Sequence, residues 1–291
     1  MSDMALSLNL LGSPTLVAGE VPVALSPSST LLCAYLALAP QEGRPRSVAA
    51  AQLFADCSEP AARRRLNTAL WRLKSEVRAS TGVDIVAGGD ARRVAFSATV
   101  DVTIDASVFE QLVASALRRR PEELTAAEVE SLERAVELHR GALVEECDDE
   151  WVLADRYRLE NLYLTALDHL LQHHGGRGDL DAVTRYGEMA LEHEPLREDV
   201  HRHLMHAYGA AGRTDLVERQ FERCRQLLLE QLGADPMPET LAAYSRYLHG
   251  DARGPVTGLD ELVSELERAR REVQRLAESV DRALDRLHHL A

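Results

Sequence analysis

The sequence predicts a mainly α-helical chain in three parts: an N-terminal winged helix of mixed α+β structure, a tetratricopeptide-like α-helical repeat domain and a C-terminal coiled coil. Three observations carry this expectation. Strands, three helices and a hairpin follow one another in residues 1–104. A phrase within residues 105–249 is echoed 34 positions later. A breaker-rich linker at 250–258 precedes an unbroken heptad pattern over 259–291.

In the first part, Leu6-Ser7-Leu8-Asn9-Leu10 alternates apolar and polar residues as a half-buried strand does, and Gly12-Ser13-Pro14 and Ala18-Gly19-Glu20 punctuate two turns. Three helical segments follow. Ser28 or Ser29 is placed to cap Leu31–Leu38, and Ser47 to cap Val48–Phe54. Pro60 sits near the start of a segment reaching Val77. Val83-Asp84-Ile85-Val86 and Arg92-Arg93-Val94-Ala95-Phe96 flank Gly88-Gly89-Asp90 and read as a hairpin. Strands, three helices and a hairpin, in that order, are the winged-helix plan.

The second part is helical throughout. Gly178-Asp179-Leu180-Asp181-Ala182-Val183 is matched by Gly212-Arg213-Thr214-Asp215-Leu216-Val217, and at the same offset Leu170 matches Leu204 and Arg185 matches Arg219. A 34-residue period belongs to stacked helix–turn–helix units, none of which buries its apolar face alone. The helix around Leu153–Leu171 is expected to pack ahead of them.

In the third part the a positions are Leu259, Leu266, Val273, Val280 and Leu287, and the d positions are Leu262, Ala269, Leu276, Ala283 and Leu290. A strict 3.5-residue period favours a seam between helices over one amphipathic helix folded back on the repeat domain. Leu259, Leu262, Leu266, Val273, Leu276, Val280 and Leu287 are therefore the candidate oligomerisation residues of a homodimer or higher homo-oligomer. Val263 and Leu284 at e positions leave antiparallel pairing open.

Composition excludes some functions and leaves one puzzle. The four cysteines are far apart, without metal-ligand spacing, as free thiols in a reducing cytoplasm would be. The N-terminus lacks the pattern of a signal peptide, and no apolar run approaches the ~20 residues of a membrane span. A soluble, cytoplasmic protein is expected. Net charge is −14, yet the first hundred residues carry +2 and the rest −16. A mildly basic head on an acidic body needs a reason.

The helix over 61–78 supplies one. Leu66, Leu70, Leu73 and Val77 share a face suited to a core. The opposite face presents Arg64, Asn67, Thr68, Trp71, Ser75 and Arg78, with Arg65 and Arg72 on one flank. Arginine forks onto guanine, asparagine onto adenine, and hydroxyls reach bases or phosphates, so this face has the chemistry of a major-groove helix. The candidate contacts to double-stranded DNA are Arg63, Arg64, Arg65, Asn67, Thr68, Trp71, Arg72 and Lys74, joined by Arg92 and Arg93 beside the glycine turn. Trp71 is either a contact residue or, the favoured expectation, packed under a neighbouring domain. An Arg-rich amphipathic helix can also be a merely solvated face.

No catalytic motif competes. Lys74 is the only lysine, which removes a Walker-type phosphate loop, and neither G-x-S-x-G nor H-E-x-x-H occurs. His169, His173, His174, His201, His203 and His206 cluster in the repeats. A zinc or nickel site there competes with the ordinary polar lining of a repeat array, and the expectation is no metal, no cofactor and no enzyme activity. Glu145 to Glu150 lacks the spacing of a calcium loop.

The chain resembles the SARP-type (antibiotic regulatory protein) transcriptional activators, which join a response-regulator-type winged helix to a bacterial transcriptional activator domain. The resemblance spans about residues 6–249. It rests on Arg140-Gly141-Ala142-Leu143, Trp151 through Tyr163, Glu194-Pro195-Leu196-Arg197-Glu198, Ala210-Ala211-Gly212-Arg213, Leu232-Gly233-Ala234-Asp235-Pro236 and Pro238-Glu239, with Leu53-Phe54, Ala62-Arg63 and Arg72-Leu73-Lys74 in the first part. It implies binding to promoter repeats through residues 60–78, contact with RNA polymerase near Phe54–Glu59, and activation of a gene cluster. The repeat domain would serve as a surface for packing, a partner or an unidentified ligand. Two features depart from the family plan. Gly88-Gly89 is followed by Asp90-Ala91-Arg92-Arg93 where Gly-Gly-Tyr is usual, and the coiled coil is an addition. The alternative class is an interaction scaffold that keeps the fold with weak or no DNA binding.

Overall fold

The computed structural model describes residues 5–40, 42–87 and 92–248. The glycine turn at 88–91, the linker and the heptad segment 259–291 lie outside the described residues. The chain divides into two compact units, Met1–Ala207 and Tyr208–Ala291. Its secondary structure is mainly helical, with a small N-terminal sheet.

The first unit begins with β1 (Leu6–Asn9), β2 (Thr15–Ala18) and β3 (Val21–Pro22). With β6 (Val102–Ile104) they form a sheet in the order β3-β2-β1-β6. β1 runs antiparallel to β2 and parallel to β6, Leu6 standing opposite both Ala18 and Val102. The expected alternation is present: Leu6, Leu8 and Leu16 are buried. α4 (Asp105–Ala116) packs on β1 and β6 and buries Ala106, Phe109 and Val113.

Between β3 and β6 lie α1 (Pro27–Ala37), α2 (Arg46–Leu53) and α3 (Glu59–Thr81), and both α1 and α2 pack against α3. The expected serine caps are corrected. α1 starts at Pro27 after Ser26, and α2 starts at Arg46 after Pro45, so Ser28, Ser29 and Ser47 lie inside helices. Proline's fixed φ is already helical and it lacks the N–H that a first turn leaves unpaired, so Pro27 starts α1 ahead of the serines. α3 also takes its proline, Pro60, in the first turn. It ends at Gly82, whose φ of 73° is the left-handed cap a side chain disfavours.

The expected hairpin is present only in outline. Val86 bridges Phe96, while β5 (Arg93–Val94) pairs instead with β4 (Arg44–Pro45). That pairing needs Gly43: a Cβ there would stand 2.3 Å from the Val94 carbonyl oxygen, and its φ is 72°.

After α4, a 3₁₀ turn (Pro121–Glu123), α5 (Ala126–Leu138), α6 (Glu150–Gly175) and α7 (Leu180–His193) follow, each helix packing on the one before. Thr125 and Glu128 close a reciprocal capping box on α5, and the Asp179 carboxylate accepts the Ala182 N–H at the start of α7. α8 (Glu198–Ala210) approaches α7 where Gly187 meets Leu204. Within the second unit, α9 (Thr214–Leu232) packs on α10 (Pro238–Leu248), Phe221 stacking on Tyr244 with centroids 4.0 Å apart. The echoed glycines now have a local reason. Gly178 and Gly212 stand just ahead of α7 and α9 at φ of 70° and 71°, where any other residue is strained.

The segment from His139 to Asp149 docks on the N-terminal strands. Gly12 N–H donates to the Ala142 carbonyl at 3.0 Å and Val144 N–H to the Leu10 carbonyl at 2.8 Å, and Gly141 approaches Gly12 backbone to backbone. The buried Asp105 carboxylate accepts the N–H groups of Leu10 (2.7 Å), Leu11 (3.0 Å) and Ala106 (2.7 Å). Burial pushes its pKa above the ordinary value, against the pull of those N–H groups and of Arg140. Arg156 of α6 donates to the carbonyls of Leu143 (2.9 Å), Val144 (2.8 Å) and Cys147 (2.5 Å). Tyr35 of α1 meets Trp151 of α6 edge-on at 5.0 Å, and Arg158 pairs with Glu110. Residues on both sides of position 104 therefore share one core.

Behind that segment, His139 stacks on Tyr163 at 3.9 Å and faces His193 at 6.0 Å. Burial first, then the neighbouring His193, lowers the His139 pKa to about 4, with Glu160 opposing.

Candidate nucleic-acid interface

α3 is two-faced in structure as in sequence. Leu66, Leu70, Leu73 and Val77 are buried, together with Ala62 and Ala69, and they fix the helix against α1 and α2. Arg63, Arg64, Arg65, Asn67, Thr68, Trp71, Arg72, Ser75 and Arg78 are exposed, and Lys74 is half-buried.

The arginines differ in how they are held. Arg63 pairs with Glu59 at 2.5 Å and Arg65 with Asp56 at 3.3 Å, both in the open. Exposed pairs of this kind are worth at most about 1 kcal/mol, so a phosphate can displace either carboxylate. Arg72 reaches the Ser28 hydroxyl at 3.3 Å and Arg78 the Asp84 carboxylate at 3.7 Å. Arg64 pairs with no described residue. Thr68 turns its hydroxyl back to the Arg64 carbonyl at 3.1 Å.

Arg46, at the start of α2, is a residue that sequence reasoning missed. It donates to the Asn67 side-chain oxygen at 2.6 Å. That oxygen is one of the two atoms Asn67 needs to fork onto an adenine, so Arg46 governs whether the amide is free. The signal available was Arg44-Pro45-Arg46, two cations immediately ahead of a helix. Arg44 itself is structural, stacked over the Tyr35 ring at 4.4 Å.

The two arginines beside the glycine turn are not equivalent. Arg93 donates to the carbonyls of Glu42 (2.7 Å) and Gly43, because the pairing of β4 with β5 brings that loop within reach. Arg92 is exposed. The expectation that Trp71 packs under a neighbour is corrected: 69% of its surface is exposed. Phe54 to Ser58 form the largely exposed connection between α2 and α3, and the exposed Glu59 opens α3.

Several of the clustered histidines are engaged locally. His169 and His203 turn to the carbonyls of Thr165 and Asp199 on their own helices, and His173 to that of Pro121. Among the described residues no three His, Cys, Asp or Glu are grouped to hold a metal ion, and no helix is long and apolar enough to cross a membrane.

Residues 104–248 match the family model of the bacterial transcriptional activator domain, which makes this the body of a bacterial transcription regulator. The chain thus carries the domain that SARP-type regulators share. No curated protein matches it. Among solved structures it is similar to Mycobacterium tuberculosis EmbR in complex with a low-affinity phosphopeptide. The TM-score is 0.66 and the identity 18%, over 92% of this chain and 71% of that one, a likeness of fold.

Proposed function

We propose that the chain regulates transcription by binding double-stranded promoter DNA, with α1–α3 and the β4–β5 pair acting as a winged helix and α3 as its recognition helix. The observation that carries this reading is the exposed face of α3, cationic and hydrogen-bonding along its length and held rigid by a fully apolar opposite face. Arg63, Arg64, Arg65, Asn67, Thr68, Trp71, Arg72 and Lys74 are its contact residues, Arg46 is added to them, and Arg92 serves a phosphate from the wing side. Arg93 acts by holding the loop at 42–43. Residues 54–59 are the surface offered to RNA polymerase for activation of a gene cluster in the cytoplasm. The helix pairs of the second part form a tetratricopeptide-like array for a partner or ligand.

A gel-shift series in rising salt tests the DNA reading. Affinity is expected to fall steeply with salt, and Arg64→Ala or Arg72→Ala each to reduce the log–log slope by about 1, the release of one phosphate contact. Absent or salt-independent binding favours the scaffold, a reading that the acidic body supports. We also propose that residues 259–291 hold two copies together as a homodimer. Deleting residues 256–291 is then expected to lower the mass seen by light scattering, whereas an unchanged mass means the tail folds back on its own chain.

A further inference from the structure

The outer face of α3 carries one residue out of keeping with its surroundings. Trp71 is 69% exposed, and its neighbours one turn away, Asn67, Thr68, Lys74 and Ser75, are all polar. Two turns away stand Arg64 and Arg78, about 21 Å apart along the helix axis, with Trp71 midway between them. The indole lies at the centre of a cationic strip and outside the core, which Leu66, Leu70, Leu73 and Val77 already fill. The strip is the one proposed to enter the major groove, which is about 12 Å wide and admits an α-helix. The major-groove edge of B-form DNA offers hydrogen-bond donors and acceptors and a single apolar group, the C5-methyl of thymine.

We propose that Trp71 is a specificity-determining residue of this chain, seating thymine methyl groups and so selecting T·A over C·G where it lies. The inference rests on the reading of α3 as the helix that enters the groove. It assigns a division of labour on that face: Arg64 and Arg78 fix the helix on phosphates, Asn67, once released by Arg46, reads a base edge, and the indole reads methyls.

Deoxyuridine isolates the effect, because it keeps every hydrogen-bonding atom of thymidine and lacks only the methyl. A duplex is first selected from a randomised library by the full-length chain, and each thymidine is then replaced in turn. At the covered positions the affinity of the unaltered protein is expected to fall about fourfold per methyl, the value of one buried carbon. Trp71→Ala is expected to bind the thymidine and deoxyuridine duplexes equally, while Arg64→Ala weakens both and keeps the difference between them. Trp151 remains in Trp71→Ala to report an intact fold by fluorescence. Tight binding to the selected duplex that ignores every deoxyuridine, or a penalty that persists in Trp71→Ala, overturns the role of Trp71 and leaves α3 as the DNA helix. A chain that enriches no duplex overturns both.

Discussion

Asp105→Ala is expected to cost the fold about 4 kcal/mol, read as a drop in the urea midpoint at unchanged slope. The carboxylate accepts from Leu10 and Leu11, which are 0% and 3% exposed. Each orphaned buried N–H costs roughly 1–3 kcal/mol, and those of Leu10 and Leu11 are lost together with the local bond from Ala106. Asp105→Asn keeps one accepting oxygen and is expected to lose about half as much. The raised pKa of Asp105 shows that burying this charge is itself unfavourable. The loss in Asp105→Ala therefore measures the abandoned N–H groups rather than a net gain from the ion. A change under about 1 kcal/mol would mean that the N–H groups find other partners.

The second large effect is acid sensitivity seated at His139. Its pKa in the folded chain is about 4 against an ordinary 6.5, so between those values the unfolded chain binds the proton and the folded chain does not. The contribution is fully present above pH 6.5 and is lost as pH falls toward 4. A displacement of this size corresponds to roughly 3 kcal/mol, or about 2 kcal/mol once the partial exposure of the ring is allowed for. His139→Phe keeps a ring against Tyr163 and carries no proton. Its denaturation midpoint is expected to fall less than that of the unaltered protein between pH 7 and pH 4.5, and equal losses would remove His139 as the cause.

The sequence showed most clearly those features that repeat at a fixed spacing. The buried and exposed faces of α3, the alternation in β1 and the paired glycines before α7 and α9 all follow from local periodicity or local backbone need. What stayed hidden depends on tertiary approach. β4 is two residues long and contains a proline, so no strand propensity marks it; it exists because Gly43 lets Val94 come close. The docking of residues 142–145 on residues 10–12 is made of main-chain bonds, which leave no side-chain pattern. α1 starts ahead of its serines because Pro27 already has a helical φ. In the candidate interface the residue types were legible, while their engagement was not: Arg93 is tied to a loop, Arg46 holds Asn67, and Trp71 is largely exposed. The heptad segment falls outside the described residues, so its pairing rests on the sequence pattern.

The clasp of Asp105 over Leu10 and Leu11 bears on how such regulators can be recombined. A DNA-reading head is often imagined as a detachable module that any body can wear. Here the first strand is finished by a carboxylate beyond the head's last strand and, from the loop before α6, by the Ala142 carbonyl and the Val144 and Glu145 N–H groups. A head transplanted onto a foreign body inherits the buried amides of Leu10, Leu11 and Gly12 in search of acceptors, and the seam of a viable chimera belongs after that loop rather than before it.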